Sequence, residues 1–254
     1  QRNYELQIAY NDMMPYVTEI TTNIDQISKI NMNSEQKAYL IAQLKALRAH
    51  YSWILYNFYG PVSIIVDPVI AADVNAAPIP RPTNDWMVAQ IEKDYQEAIP
   101  DLKTSATLPA ADYGRFTQDA ALMGLMKLYA HEKRWSDLLA TGQKLMTYGH
   151  SLQANYADVF AYSNKGNSQE ILLAISCLTD KSNNINRWLA MCMPGDYVDP
   201  GGVNISAQWN GYRMPWKTYD KFDITDKRLT RLLAKWPTGA NNTAIKDART
   251  SGHI

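Results

Sequence analysis

Apolar positions recur at intervals of three and four through most of the first 150 residues, the period of helices that bury one face. Leu6, Tyr10, Met13, Val17, Ile20, Ile24 and Ile27 hold that rhythm and predict a helix over residues 3–30, kinked or split at Pro15. Leu40, Leu44, Leu47, Tyr51, Ile54 and Phe58 predict the inner face of a second long helix. Asn33 to Gln36 has the form of a capping box that opens it, and Gly60-Pro61 stops it, since glycine tolerates a left-handed turn and proline cannot continue a helix. A short β-prone run, Val62 to Val66, follows and ends at Asp67-Pro68. Residues 67–82, with Pro68, Pro78, Pro80 and Pro82, read as a loop. Thr83 then caps a helix with Ile91, Tyr95, Ala98 and Leu102 inward, and Thr117 caps another that runs to about His131. Trp135 to Met146 predicts a further helix with Trp135, Leu138, Gly142 and Leu145 inward.

The last two helices are joined by the short turn Glu132-Lys133-Arg134 and carry small residues at their crossing, Ala121, Gly124, Ala140 and Gly142. That pairing is similar to a degraded tetratricopeptide unit. The expected fold is mainly α, a helical-hairpin (tetratricopeptide-like) repeat scaffold with an irregular, loop-rich half and little β. The chain changes character near residue 150, where Gly, Asn, Ser, Pro and Trp take over and a single strand signal remains at residues 170–177. The expected organisation is a helical scaffold over 1–150 and an irregular region over 151–254, packed on it as one structural domain and holding the ligand-binding part.

Charge and composition exclude several classes. Lys and Arg number 25 and Asp and Glu 25, so no basic excess points to nucleic acid. No apolar run reaches the ~18 residues of a membrane span. Cys177 and Cys192, fifteen positions apart, read as two free, half-buried thiols, with a disulfide between them as the alternative at an oxidising cell surface, and there is no Cys/His cluster for zinc. The histidines His50, His131, His150 and His253 do not fall at metal-ligand spacing. His131 is expected at a helix end among terminal carbonyls, His50 on a helix surface or as a satisfied interior group, and Arg48 as a buried or half-buried guanidinium paired with a carboxylate or carbonyls. Arg115 is read as playing a similar structural part at a helix start. There is no Gly-x-Ser-x-Gly, no phosphate-cradling glycine loop and no His-Glu-x-x-His, so no catalytic residue, metal or cofactor is expected. Asp196, Asp199, Asp220, Asp223 and Asp226 crowd the irregular half, and a glycoside-processing enzyme would need two of them held apart with separated pKa values. Asp199-Pro200 and Asp223-Ile224-Thr225-Asp226 read better as turns and caps.

Tyrosine (16) and tryptophan (7) outnumber phenylalanine (4), which favours rings with a polar tip over purely apolar ones. They concentrate with amide, carboxylate and guanidinium groups in Asn186-Arg187-Trp188, Gly195-Asp196-Tyr197 and Trp209-Asn210-Gly211-Tyr212-Arg213. Sugar rings offer C–H faces to such aromatics and hydroxyls to such polar groups. The candidate ligand-binding residues are therefore Trp188 and Trp209 as stackers, Tyr197 as a third face, and Asn210, Asp196 and Arg213 as hydroxyl partners. Trp216 is assigned to packing.

Several motifs, in order, carry a family resemblance. Leu47-Arg48-Ala49 with Tyr51, Trp53 and Tyr56 leads to Tyr59-Gly60 and Pro61; Arg81 to Leu102 forms the next helix; Gly114-Arg115-Phe116-Thr117 precedes Ala120-Ala121. Phe160 is followed by Ser168-Gln169-Glu170-Ile171-Leu172-Leu173, and Phe222 by Asp226-Lys227-Arg228. This series resembles the SusD/RagB family of outer-membrane nutrient-binding lipoproteins. The resemblance implies a non-catalytic protein that binds an oligosaccharide or other nutrient and hands it to a TonB-dependent, SusC-like transporter. It implies a place at the bacterial cell surface, held by a lipid anchor outside this chain, and against the family the chain looks cropped at both ends. The family's glycan platform draws on loop aromatics of this later region and on others from the N-terminal side. The alternative is a helical-repeat scaffold for protein–protein interaction, with the aromatics serving as core.

Overall fold

The computed structural model describes residues 4–161, 168–175, 188–199, 208–238 and 244–249. The chain falls into two units, Gln1–Leu152 with Gln169–Ala174, and Gln153–Ser168 with Ile175–Ile254.

The first unit is built of helices: α1 (Tyr4–Lys29), α2 (Ser34–Tyr59), the short α3 (Pro68–Ala72), α4 (Asn84–Ala98), α5 (Gln118–His131) and α6 (Trp135–Met146). Its boundaries are set by local chemistry. Asn33 Oδ1 accepts from the Gln36 amide at 3.0 Å, Thr83 Oγ1 from Trp86 at 3.2 Å, and Thr117 Oγ1 from Ala120 at 3.2 Å. Gly60, at φ 69°, closes α2 and donates its N–H to the Tyr56 carbonyl. α1 runs unbroken through Pro15 rather than splitting there. Pro15 and Asn11, the residue whose carbonyl loses its partner, are both exposed, so water can satisfy the freed group.

α2 packs against both α1 and α4. Its most buried face is therefore not the leucine row read from the sequence. It is Ala42, Ala46, Ala49, Ser52, Leu55 and Tyr56, small residues where neighbours come close, while Phe58 is 56% exposed. One polar knot crosses this core. Arg48 on α2 grips Asp94 on α4 through Nε (2.8 Å) and Nη2 (2.7 Å), and its Nη1 donates to Thr21 on α1 (3.0 Å). Thr21 Oγ1 in turn faces the Ile65 carbonyl at 2.8 Å, which holds the segment after Gly60. That segment, Val62 to Val66, is extended but joins no strand; Val62 and Ile64 are buried, and the Ile64 amide donates to the carbonyl of Val62.

α5 and α6 form the expected hairpin, reversing through Lys133 at φ 58°. Arg134 clamps the turn: it pairs with Glu92 of α4 (2.6 Å) and Asp137 of α6 (2.7 Å) and lies over the Tyr129 ring of α5. Leu138 and Leu145 face the core as expected, but Trp135 is 61% exposed and Ala140 is exposed as well. The close approach of α6 to α5 is made at Gly142, against Met126. Arg115 is exposed and pairs with Asp112 (2.9 Å). His131 turns to a carboxylate, that of Glu132 (2.9 Å), rather than to terminal carbonyls. His50 is half-buried against Phe116 and Tyr51, and burial, with Lys127 nearby, lowers its pKa.

Asp119, fully buried at the start of α5, accepts from the Ser105 amide (2.7 Å), the Ser105 hydroxyl (3.1 Å) and His150 Nε2 (2.6 Å); His150 Nδ1 meets the Gln169 carbonyl (2.7 Å). Burial alone would raise the Asp119 pKa, but the hydrogen bonds from His150 and Ser105 outweigh it and hold the carboxyl below its usual 3.8. Glu92 and Glu132 are likewise held low, against burial, by Arg134 and by Tyr56 and His131. A depressed folded-state pKa contributes stability that is present above the unfolded value and is lost as pH falls through the folded one. The urea midpoint of this unit is thus expected to stay level at neutral pH and to fall below about pH 4. Asp119→Asn should lower it at pH 7 and flatten that acid limb; an acid limb as steep as the parent's would count against the assignment.

The second unit holds α7 (Trp188–Cys192), α8 (Trp216–Tyr219) and an antiparallel hairpin, β1 (Lys235–Thr238) with β2 (Ala244–Asp247). Trp236, 3% exposed, is its packed residue. The expected strand near 170–177 does not form over the described residues 168–175; Leu172 and Leu173 instead lie against the core of the first unit. Cys177 lies outside the described residues, and Cys192 is an exposed free thiol.

Candidate ligand-binding clefts

Residues 208–212 are clipped onto the end of α7. The amides of Trp209, Gly211 and Tyr212 donate to carbonyls of Ala190 and Met191, and that of Asn210 donates to Met193. Asn210 takes the left-handed conformation (φ 54°) that bends the chain there, a conformation asparagine tolerates better than most residues. Beyond this bend opens a cleft of ≈ 670 Å³. Asn210, Tyr212, Arg213, Trp216, Tyr219 and Arg231 give it polar and aromatic walls, and Leu232, Leu233 and Trp236 an apolar one. Trp216 meets Tyr219 edge to face at 5.2 Å, and Arg249, paired with Asp220 (2.6 Å), lies 4.0 Å over the Trp216 ring. Trp216 therefore packs, as read, and also lines the cleft.

Of the sequence-derived candidates, Asn210 and Arg213 lie in the lining. Trp209 sits just outside it and is 53% exposed. Asp196 faces the hairpin, accepting from Trp236 Nε1 (2.9 Å) and Lys246 Nζ (2.6 Å), and these contacts hold its pKa below the usual value. Tyr197 donates to Asp199 (3.2 Å), and its carbonyl accepts from Gln208. The Trp188 side chain lies outside the described residues. Tyr212 and Tyr219 were not singled out as ligand contacts; the run Tyr212-Arg213-Met214-Pro215-Trp216 carried the available signal, aromatics at i and i+4 around a proline. Asp223 accepts from Thr225, and Asp226 caps a 3-10 turn and pairs with Arg228. Asp196, Asp223 and Asp226 are all shifted below the usual carboxylate value, opposite to the raised pKa of a general acid.

The first unit has its own cleft of ≈ 400 Å³, walled by Ile64, Ile70, Ile79, Pro80 and Pro82, with Trp86 at 41% exposure among its lining. Arg81 braces its loop by donating to the carbonyls of Tyr59 and Pro61. Among the described residues no His, Cys, Asp and Glu cluster could hold a metal ion, and no helix is long and apolar enough to cross a membrane.

No family model matches the chain. Over 153 residues it is 27% identical to a SusD-like protein of Formosa agariphila, a match covering 60% of this chain and 28% of that protein. Surface glycan-binding protein A from Bacteroides uniformis superposes with a TM-score of 0.74 at 18% identity, over 98% of this chain and 52% of its own. Surface glycan-binding protein A from Bacteroides thetaiotaomicron, solved with laminarihexaose, gives 0.68 at 19% identity, over 88% and 47%. A laminarin-binding SusD-like protein gives 0.58 at 25% identity, over 63% and 35%. The chain spans 28% of the curated relative and between 35% and 52% of these solved structures.

Proposed function

From a chain that is SusD-like in its motifs and its mainly α fold, we propose a non-catalytic glycan-binding protein that works at the bacterial outer-membrane surface. It captures an oligosaccharide and passes it to a TonB-dependent, SusC-like transporter, held at the membrane by a lipid anchor outside this chain. The observation that carries this reading is the cleft in which Trp216, Tyr212 and Tyr219 stand beside an amide and two guanidinium groups. Ring faces would take the apolar side of a sugar, and Asn210, Arg213 and Arg231 its polar substituents. Trp209 and Trp188 remain candidate stackers, with Tyr197 a candidate third face and Asp196 a candidate hydroxyl partner, and Trp86 offers a further ring in the first unit. Affinity would be modest, because open stacking surfaces bury little area.

The test is tryptophan fluorescence during titration with soluble oligosaccharides, laminarihexaose among them. A saturable change is expected for at least one glycan, weakened about ten-fold by Trp216→Ala or Tyr212→Ala, the loss of one stacked ring and its buried area. Trp209→Ala and Trp188→Ala ask whether the stacking surface extends past the cleft. No response from folded protein would sink the reading. It would favour a scaffold that binds protein, for which one observation speaks: Trp135, Leu139 and Met146 line one face of α6 at 61%, 63% and 79% exposure.

A further inference from the structure

We infer that His150 is a pH-operated latch: as an imidazolium it fastens residues 169–174 onto the helical unit, and on losing its proton it releases them. α6 ends at Met146, and Gly149, at φ 81°, then turns the chain so that His150 meets the first turn of α5. A Cβ at Gly149 would touch nothing, so it is the left-handed conformation that calls for glycine. The His150 side chain is 17% exposed, and both of its ring nitrogens meet acceptors. Nε2 lies 2.6 Å from Oδ1 of the fully buried Asp119, and Nδ1 lies 2.7 Å from the Gln169 carbonyl. A carbonyl has no hydrogen to give. Against its burial, Asp119 is held ionised by His150 and by the Ser105 amide and hydroxyl, so it gives none either. Two acceptors call for two N–H donors, and of the forms of a histidine ring the imidazolium alone has both.

The segment so fastened is a short return of the chain. Residues 153–168 and 175–254 belong to the second unit, and 169–174 to the first. The segment forms neither helix nor strand; Leu172 and Leu173 lie against the helical core. Its head is tied at Gln169, by the carbonyl to His150 and by Oε1 to the Ser151 hydroxyl (3.0 Å). A neutral ring keeps a single N–H, and the Asp119 carboxylate, the stronger acceptor, holds it. Nδ1 then turns a lone pair toward the Gln169 carbonyl, so a bond becomes a repulsion. The other titratable groups nearby are turned elsewhere or sit on the segment itself. Tyr148 gives its hydroxyl to Gln118 (2.7 Å), Lys103 on the Ser105 loop faces the Tyr39 ring (5.3 Å), and Glu170 follows Gln169. Asp119 is the charge bonded to the ring. The latch is thus closed while Asp119 is ionised and His150 protonated. It opens as pH rises through the ring's midpoint, and separately in strong acid when Asp119 takes up a proton. Histidine is the side chain whose charge ordinarily changes near neutral pH. Opening lengthens the slack chain between the two units.

Two readings on the full chain, taken together from about pH 5 to 9, test the latch. Long-range proton–nitrogen spectra of the histidine rings follow the protonation of His150. Chymotrypsin cutting at Leu172 and Leu173, normalised to a free peptide of residues 168–175 at each pH, follows the segment. Below the midpoint both His150 nitrogens should carry hydrogen. Above it Nδ1 should be bare and cutting about ten-fold faster, the loss of one charge-assisted hydrogen bond. His150→Gln keeps a donor for Asp119 but cannot titrate, so its cutting should be fast and level with pH. Asp119→Asn removes the charge that favours the imidazolium, so the ring midpoint and the cutting midpoint should move down in pH together. A ring that titrates while cutting stays level overturns the inference, as does a pH-dependent rise that persists in His150→Gln. A folded protein at pH 5 with one bare nitrogen on His150 overturns it as well. Should either variant fail to fold by circular dichroism, agreement or disagreement of the two midpoints in the parent decides the matter.

Discussion

Replacing Asp94 with alanine is expected to destabilise the helical unit by about 3–5 kcal/mol, enough to unfold a domain of ordinary stability. The reason is the company Arg48 keeps. Its side chain is 9% exposed and that of Asp94 2%, and two short bonds join them. Taking away the carboxylate leaves a guanidinium in the core with Thr21 as its one remaining side-chain partner among the described residues, and the desolvation cost falls on the fold. Arg48→Met should cost a comparable amount by stranding Asp94. The double variant Arg48→Met/Asp94→Leu should recover much of the loss, since neither charge is then buried alone. Urea unfolding followed by far-UV circular dichroism measures all of these. If the two single losses simply add in the double variant, the pair is not acting as a buried ion pair.

Gly124→Ala is the second large effect, expected at about 1–3 kcal/mol or more, because the methyl group has nowhere to go. A Cβ at Gly124 of α5 would stand 2.4 Å from Tyr95 Cζ and 2.5 Å from its Oη, on α4. The Tyr95 ring is wholly buried and cannot swing aside as a surface side chain would. Its hydroxyl has no hydrogen-bond partner among the described residues, so Tyr95→Phe should be nearly neutral by itself. Pairing Gly124→Ala with Tyr95→Leu should cost less than the sum of the two alone, the mark of a shared contact. A melting temperature for Gly124→Ala equal to the parent's would show that α4 and α5 part more easily than the packing implies.

These two sites divide differently between sequence and structure. Gly124 was legible as a small residue at a helix crossing, but the crossing read was that of α5 with α6, whereas its close neighbour is Tyr95 on α4. Arg48 was legible as a buried or half-buried guanidinium that wanted a carboxylate or carbonyls, but nothing along the chain selects Asp94, 46 residues on, over its neighbours. The candidate cleft was legible only in part. Asn210 and Arg213 were named from the mixture of rings and polar groups, whereas Trp216 was assigned to packing alone. Asp196 reads as a hydroxyl partner in sequence, while in the fold it holds Trp236 and Lys246, contacts made by a hairpin with no strong strand signal.

What the sequence determined by itself is whatever depends on near neighbours. Helix starts at Asn33, Thr83 and Thr117 and the stop at Gly60 follow from side-chain and backbone geometry within a few residues, and they are found where they were read. The mainly α character and the SusD-like likeness, carried by motifs in order, belong to the same level, and both are borne out. What only the tertiary structure decided is which face of each element is innermost and which polar groups meet. α2 is packed from more than one direction, so closeness, not apolar periodicity, chose Ala42, Ala46 and Ala49 for its core. Trp135 continues the period of α6 and is nonetheless exposed, because burial requires a neighbour as well as a pattern.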